Sequence, residues 1–374
     1  VLGAAVGLAC PAPVHAAAAP APGGCLEPAT TVVRDQTWAQ ERLAPEHVWD
    51  LTRGGGKTVA VIGSGVDARV PQLRGGVLPG IGLGGPADRD CRGDGTFAAG
   101  LIAARPVDAV AFTGVAPTAR VLPVRLPDTG DRLAALGTAI RQAVDGGAAV
   151  ICVAVDPFDA SARLREAVAY AAARDVLIVA GAPERTGDAP RPDEEVLRGV
   201  LTVAPVDSAG KLVGQPRSGT VDLVAPGGDV TSLGPGGPGH LSRSGAVAAA
   251  PYVAGTAVLV RAYHPTLTAE QVARRLERTA ERPGTDVPNP RLGWGMVDPY
   301  TAVTMVLPDE GQGDQAATAV PAPVAPARVG PRDRGAERAA LLVLAVAALL
   351  SVLVTVATTA VRRGRARGWR AAAR

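Results

Sequence analysis

Short apolar runs alternate along the chain with longer stretches of helical period. The runs Thr58–Ile62, Arg120–Val124, Ala149–Val155, Val176–Ala180, Leu201–Val203 and Asp222–Ala225 are nearly continuous Val, Ile, Leu and Ala. They lack the one-in-two polar alternation of a half-exposed strand, so they predict strands buried on both faces. Between them, Thr96–Ala104, Leu133–Gly146, Ser161–Arg174 and Val247–His264 carry helical patterns. Thr268–Ala280 is a further amphipathic helix, with Thr268 placed to cap it ahead of Glu270 and Gln271. Strand and helix in alternation predict an α/β domain: a parallel β-sheet with helices on both faces. Nothing repeats at a fixed period.

The two ends break this pattern. Residues 1–16 are apolar and close on the small-x-small triplet Val14-His15-Ala16, which reads as the core and cleavage site of a secretory signal peptide. A basic leader ahead of it is missing, so the true start is expected to lie upstream. Ala339 to Val361 runs without a charged residue and is followed by six Arg between Arg362 and Arg374. As a helix this stretch would reach about 34 Å, enough for a hydrocarbon core of about 30 Å. Only Ser351, Thr355, Thr358 and Thr359 offer it a polar face. The arginines place residues 362–374 in the cytoplasm and everything before the span outside. The expected order is therefore signal peptide 1–16, arm 17–45, folded domain 46–305, Pro/Ala-rich linker 306–338, transmembrane helix 339–361 and Arg-rich cytoplasmic tail. The expected location is the cell membrane, crossed once.

Composition narrows the picture. Gly (46) and Pro (33) stay below the level of a low-complexity chain, so long loops are expected rather than disorder throughout. The net charge of +3 is misleading, because the six tail arginines leave the rest of the chain net acidic. A nucleic-acid binder would carry its positive charge on the folded domain, so that class is excluded. Of the four Cys, Cys10 leaves with the signal peptide and Cys152 lies inside an apolar run. Cys25 and Cys91 sit in loops and are expected to pair in an oxidising compartment, stapling the arm to the domain. No metal-ligand spacing is present, and no cofactor is expected.

The order of segments carries a resemblance. TVAVIGSGVD, RGDGTFAAGLIAA, FTGVAPTARVLPVRL, RSGTVDLVAPGGDV, SGAVAAAPYVAGTAVLV and LGWGMVDPY follow one another from residue 58 to residue 300. Together they resemble a subtilisin-like serine peptidase of the S8 family. With the arm, linker and anchor, the chain resembles more narrowly the mycosins, the membrane-anchored subtilases of actinobacterial type VII secretion systems. The resemblance implies a subtilisin-like fold and, as partner, the type VII secretion membrane complex.

The catalytic positions of that family depart from its pattern. Its acid lies in V-A-V-I-D-[ST]-G, where this chain has Gly63; its base lies in G-H-G-T, where the chain has Asp94. Its nucleophile lies in G-T-S-x-A-A-P, where Val247 stands, and Pro183 falls nearest the oxyanion Asn. A seryl hydroxyl needs a base within reach to attack, and the base needs an acid to orient it. Valine has no lone pair, glycine has no side chain, and an ordinary carboxylate is a poor base at neutral pH. Asp94 is expected instead to cap the helix it opens, and Val247 to pack apolar surface into the former cleft. Asp67 is expected to be a turn residue.

A rebuilt site has few parts. After signal cleavage only His47, His240 and His264 remain, and the single candidate pair is His240 with Ser244. By resemblance, Ala154, Val155 and Asp156 correspond to the strand that pairs with substrate backbone, and they could still add an extended peptide. Three functions stay open: a catalytically degenerate subtilase serving the secretion machine as a structural or binding part, a divergent active serine endopeptidase, and a module that holds exported peptides without cutting them.

Overall fold

The computed structural model describes residues 24–310, apart from 129–131, 156–160, 186–193 and 285, and residues 348–364 apart from 352. The chain divides into two units, Val1–Gly313 and Asp314–Arg374.

In the first unit the elements run α1 (Trp38–Leu43), β1 (Thr58–Gly63), β2 (Ile81–Gly82), α2 (Asp94–Ala103), β3 (Arg120–Arg125), α3 (Arg132–Asp145), β4 (Val150–Val153) and α4 (Ala162–Ala172). There follow β5 (Leu177–Gly181), α5 (Glu194–Arg198), β6 (Leu201–Val206), β7 (Leu223–Pro226), β8 (Val230–Leu233), β9 (His240–Arg243), α6 (Ala246–Tyr263), α7 (Ala269–Thr279) and α8 (Pro299–Thr304). Seven strands form one sheet in the order β2-β3-β1-β4-β5-β6-β7, and every pairing in it is parallel. β8 and β9 form a separate antiparallel hairpin.

The period of two along the strands decides which helix each residue meets. Val59, Val61, Val150, Cys152, Leu177 and Val179 face the core that holds α2 and α6. Ala60, Ile62, Ile151, Val153, Ile178 and Ala180 face α3 and α4. Both faces are covered, which is why these strands read as unbroken apolar runs. α6 is the spine of the first core, buried along almost its whole length from Ala248 to Arg261. It is the one described helix long and apolar enough to cross a membrane, and its burial makes it a core helix.

The expected strands and helices recur with shifted ends. The run Ala149–Val155 is a strand only over Val150–Val153, and the helix expected from Thr96 begins at Asp94. Thr268 caps α7 in a reciprocal capping box with Gln271. In the second unit, residues 348–351 and 353–364 are helical. Leu349, Leu350, Leu353, Val354, Val356 and Val361 are exposed there, and the Thr355, Thr358 and Thr359 hydroxyls donate to helix carbonyls. Residues 1–23, most of the linker, and 339–347 of the expected span lie outside the described residues.

Candidate functional site

The parallel strands end together at one edge of the sheet, and α2 and α6 begin there. Gly63 closes β1, Asp94 opens α2, Pro183 follows β5, and Val247 lies in the first turn of α6. A Cβ built on Gly63 would stand 3.9 Å from Gly95 Cα, and one on Gly181 would stand 2.3 Å from Ala246 Cβ. The ends of β1 and α2 thus touch, as do the ends of β5 and α6. These positions, 184 residues apart in sequence between Gly63 and Val247, converge on one edge.

What fills that edge is a buried carboxylate that the sequence reading passed over. Asp90 Oδ1 accepts the Ser64 hydroxyl at 2.7 Å, the Gly93 N–H at 2.7 Å and the Arg92 N–H at 3.2 Å, while Oδ2 accepts the Thr96 N–H at 2.7 Å. Ser64 Oγ in turn accepts the Gly95 N–H at 3.1 Å. The expectation that Asp94 caps α2 is therefore corrected. The cap position belongs to Gly93, in the left-handed region at φ 80°, and the free N–H groups of the first turn go to Asp90 and Ser64. Asp94, its side chain largely covered, pairs instead with Arg92 (3.2 Å) and Arg243 (3.4 Å). Burial pushes the Asp90 carboxyl above the usual carboxylate range, against the pull of its hydrogen bonds. The spacing from Asp90 to Gly93 and Thr96 was the available signal, hidden in a loop-like DCRGD stretch.

Glycine lets the two segments meet. Gly65, at φ 101°, brings its loop so near the 87–89 segment that a Cβ would stand 2.1 Å from Arg89 O, and one on Gly95 would stand 1.9 Å from Gly65 O. Asp67 is more than a turn residue. It is buried, it accepts Arg69 and the Gly236 N–H (2.9 Å), and it thereby ties this loop to the β8–β9 turn. Burial pushes its carboxyl up, but those partners together hold it below the usual range.

His240 and Ser244 are not brought together. His240 Nδ1 accepts the Val33 N–H at 3.1 Å, so Nε2 carries the proton, and the ring packs edge-on to Phe112. Burial lowers its pKa and keeps it neutral. Ser244 Oγ accepts the Asp229 N–H at 2.8 Å and reaches Asp229 Oδ1 at 3.2 Å. Four residues of extended chain separate the two by about 13 Å. His264 caps the far end of α6 and meets Val303 O at 2.8 Å, and His47 sits exposed in the turn Pro45–Val48. Among the described residues the ring nitrogens of His240 and His264 meet backbone groups and not hydroxyls, and no group of acidic, His and Cys side chains suits a metal ion.

Val247 is half-buried and packs on the core of α2 and α6. Pro251, four residues on, has no N–H to give its carbonyl. Pro183 is buried, and its carbonyl accepts the Arg217 N–H at 2.8 Å. Ala154 gives its N–H to Ile62 O (2.9 Å), Val155 is partly buried against the α3–α4 core, and Asp156 lies outside the described residues. Cys25 and Cys91 form a disulfide, and the arm then runs beside the hairpin through Ala29–Pro235, Gly239–Ala29 and His240–Thr31 backbone bonds. Cys152 is free and buried, its thiol pushed up to about 12 by burial, and hence inert.

The Subtilase family matches residues 54–295, more than half of the chain. The chain is a subtilase. Within that family it is mycosin-like. It is 36% identical to mycosin-4 of Mycobacterium tuberculosis over 85% of this chain and 80% of that protein. The crystal structure of MycP1 from Mycobacterium smegmatis superposes with a TM-score of 0.66 at 27% identity, covering 80% of this chain and 93% of that one. A chain in the structure of an intact ESX-5 inner membrane complex superposes at 0.65 and 27% identity, covering 90% of this chain and 94% of that one.

Proposed function

We propose that this subtilase is a catalytically inert member of its family, serving a type VII secretion membrane complex as a structural or binding component. The observation that carries the proposal is the edge where β1, α2 and α6 meet. A valine stands in the first turn of α6, a glycine ends β1, and a buried aspartate with Ser64 holds the start of α2. Gly63, Asp94, Val247 and Pro183 are, on this reading, the degenerate acid, base, nucleophile and oxyanion positions. Nothing among the described residues supplies an activated nucleophile in their place.

The partner follows from relatives. A chain of similar fold belongs to an ESX-5 inner membrane complex, and the alignment covers 90% of this protein. On this reading residues 1–16 direct export, 17–45 form the arm on the folded domain, and 306–338 are the linker. Residues 339–361 anchor the domain outside the cytoplasmic membrane, and 362–374 remain inside. The exposed apolar side chains of residues 348–361, with every described Thr hydroxyl returned to a helix carbonyl, suit a lipid surround.

Affinity purification of the tagged full-length chain from detergent-solubilised membranes tests the proposal. Type VII membrane subunits are expected to co-purify with it. Recovery of the chain alone, or with exported peptides and no translocase subunit, contradicts the role.

A further inference from the structure

Just beyond the end of β5, a cavity of about 480 Å³ is lined by Arg185, Gln215, Pro216, Ser218 and Arg291. Three loops build it. The segment after β5 is fixed by the Arg185 N–H to Gln215 O (2.9 Å) and by the Arg217 N–H to Pro183 O (2.8 Å). The turn at Asn289 is closed by its side chain, which accepts the Arg291 N–H at 2.9 Å and the Leu292 N–H at 3.1 Å. The Ser218 hydroxyl and the Gly219 N–H both donate to Pro290 O, joining the two walls.

The chemistry of the lining is one-sided. Among the described residues, two guanidinium groups and no acid line the cavity. Arg185 Nη2 donates to Gln215 Oε1 at 3.2 Å, which orients the amide and leaves its NH₂ free to donate. The Arg291 guanidinium makes no hydrogen bond or ion pair among the described residues. Glu184, next in sequence to Arg185, lies with its carboxylate against Gly214 and pairs with neither arginine. Two planar forks and an amide around one space match the oxygens of a carboxylate.

We propose that this cavity is a docking site for an acidic side chain, Asp or Glu, on a peptide segment of a partner protein. The size favours a peptide over a free anion. About 480 Å³ is within the range of sites that hold a ligand of many atoms, and Pro216 gives it an apolar wall for the carbons that carry the carboxylate.

Fluorescence anisotropy on the full-length protein in detergent tests this. The probes are a labelled Gly-Glu repeat hexapeptide, its Gly-Gln counterpart and inorganic phosphate as competitor. The Glu peptide is expected to bind at least about tenfold tighter than the Gln peptide, and to weaken as salt rises. Arg185→Ala with Arg291→Ala should remove that difference, and Arg291→Lys should reduce it by losing the fork. Both arginines are exposed, so the variants should melt as the parent does, which a thermal scan verifies. Equal binding of Glu and Gln peptides, or a difference that survives in the double variant, overturns the proposal. Phosphate competing at the same concentration as the peptide overturns the peptide as occupant.

Discussion

Replacing Asp90 with alanine removes the acceptor of four hydrogen bonds at once. The donors are the Ser64 hydroxyl and the N–H groups of Arg92, Gly93 and Thr96. The hydroxyl can turn elsewhere, but the N–H groups at the opening of α2 have no other backbone partner. Losing a helix cap costs about 1 kcal/mol, and each buried donor left unmatched costs about 1–3 kcal/mol. Removing a carboxyl whose burial disfavours its charge returns part of this. The net loss is about 3 kcal/mol. For roughly 290 folded residues the unfolding entropy is about 0.6 kcal/mol/K, so Tm should fall by about 5 °C. Asp94→Ala removes only the pairs with Arg92 and Arg243; the arginine side chains are 50% and 27% exposed and that of Asp94 is 16%, and such partly exposed pairs are worth about 1 kcal/mol. Thermal melts of the full-length protein followed by near-UV circular dichroism compare the two. A loss at Asp94 as large as that at Asp90 refutes the assignment of the helix-opening role.

Three further outcomes follow from the same geometry. Val247→Ser alone should remain unlabelled by a fluorophosphonate, because none of the three described histidines is placed to activate it; labelling of that variant in a gel assay contradicts this. Glu277 lies in α7 beside Asp222, and burial together with that neighbouring charge pushes its carboxyl up to about 7. A folded pKa above the unfolded value gives stability that is complete below about pH 4.5 and is lost as pH rises through 7; Glu277→Gln should therefore raise Tm at pH 8 and leave it unchanged at pH 4, a pattern that scans at the two pH values read directly. Reducing the Cys25–Cys91 bridge opens a loop with a sequence separation of 66; chain entropy puts the loss at about 4 kcal/mol, so a reductant should lower Tm by several degrees, and no shift would contradict the staple.

Much of the fold was legible in the sequence because a sheet covered on both faces leaves unbroken apolar strands. Thr58–Ile62 and Arg120–Val124 each lie within one residue of the observed strands. The hairpin of β8 and β9 was missed, since VTSL and HLSR are short, half-polar and joined through Gly and Pro. β2 is two residues long and carries no period at all. At the site, the sequence pointed to Gly63, Asp94 and Val247, which the fold gathers at one edge. It missed Asp90, because that carboxylate acts through Ser64, 26 residues earlier, and only tertiary structure brings the two together. It misplaced the cap for the same reason: an acidic residue opening a helix looks like a cap whether or not its side chain pairs elsewhere. His240 and Ser244 are near in sequence, yet an extended strand holds them apart and each already has a partner.

The central claim is that the edge formed by Gly63, Asp90, Asp94 and Val247 has no activated nucleophile. Incubating the purified full-length protein with a fluorophosphonate probe, then locating any adduct by intact mass and peptide mapping, tests it most directly. The expected result is an unmodified protein beside an active subtilase labelled under the same conditions. A stoichiometric adduct on any serine would contradict the account.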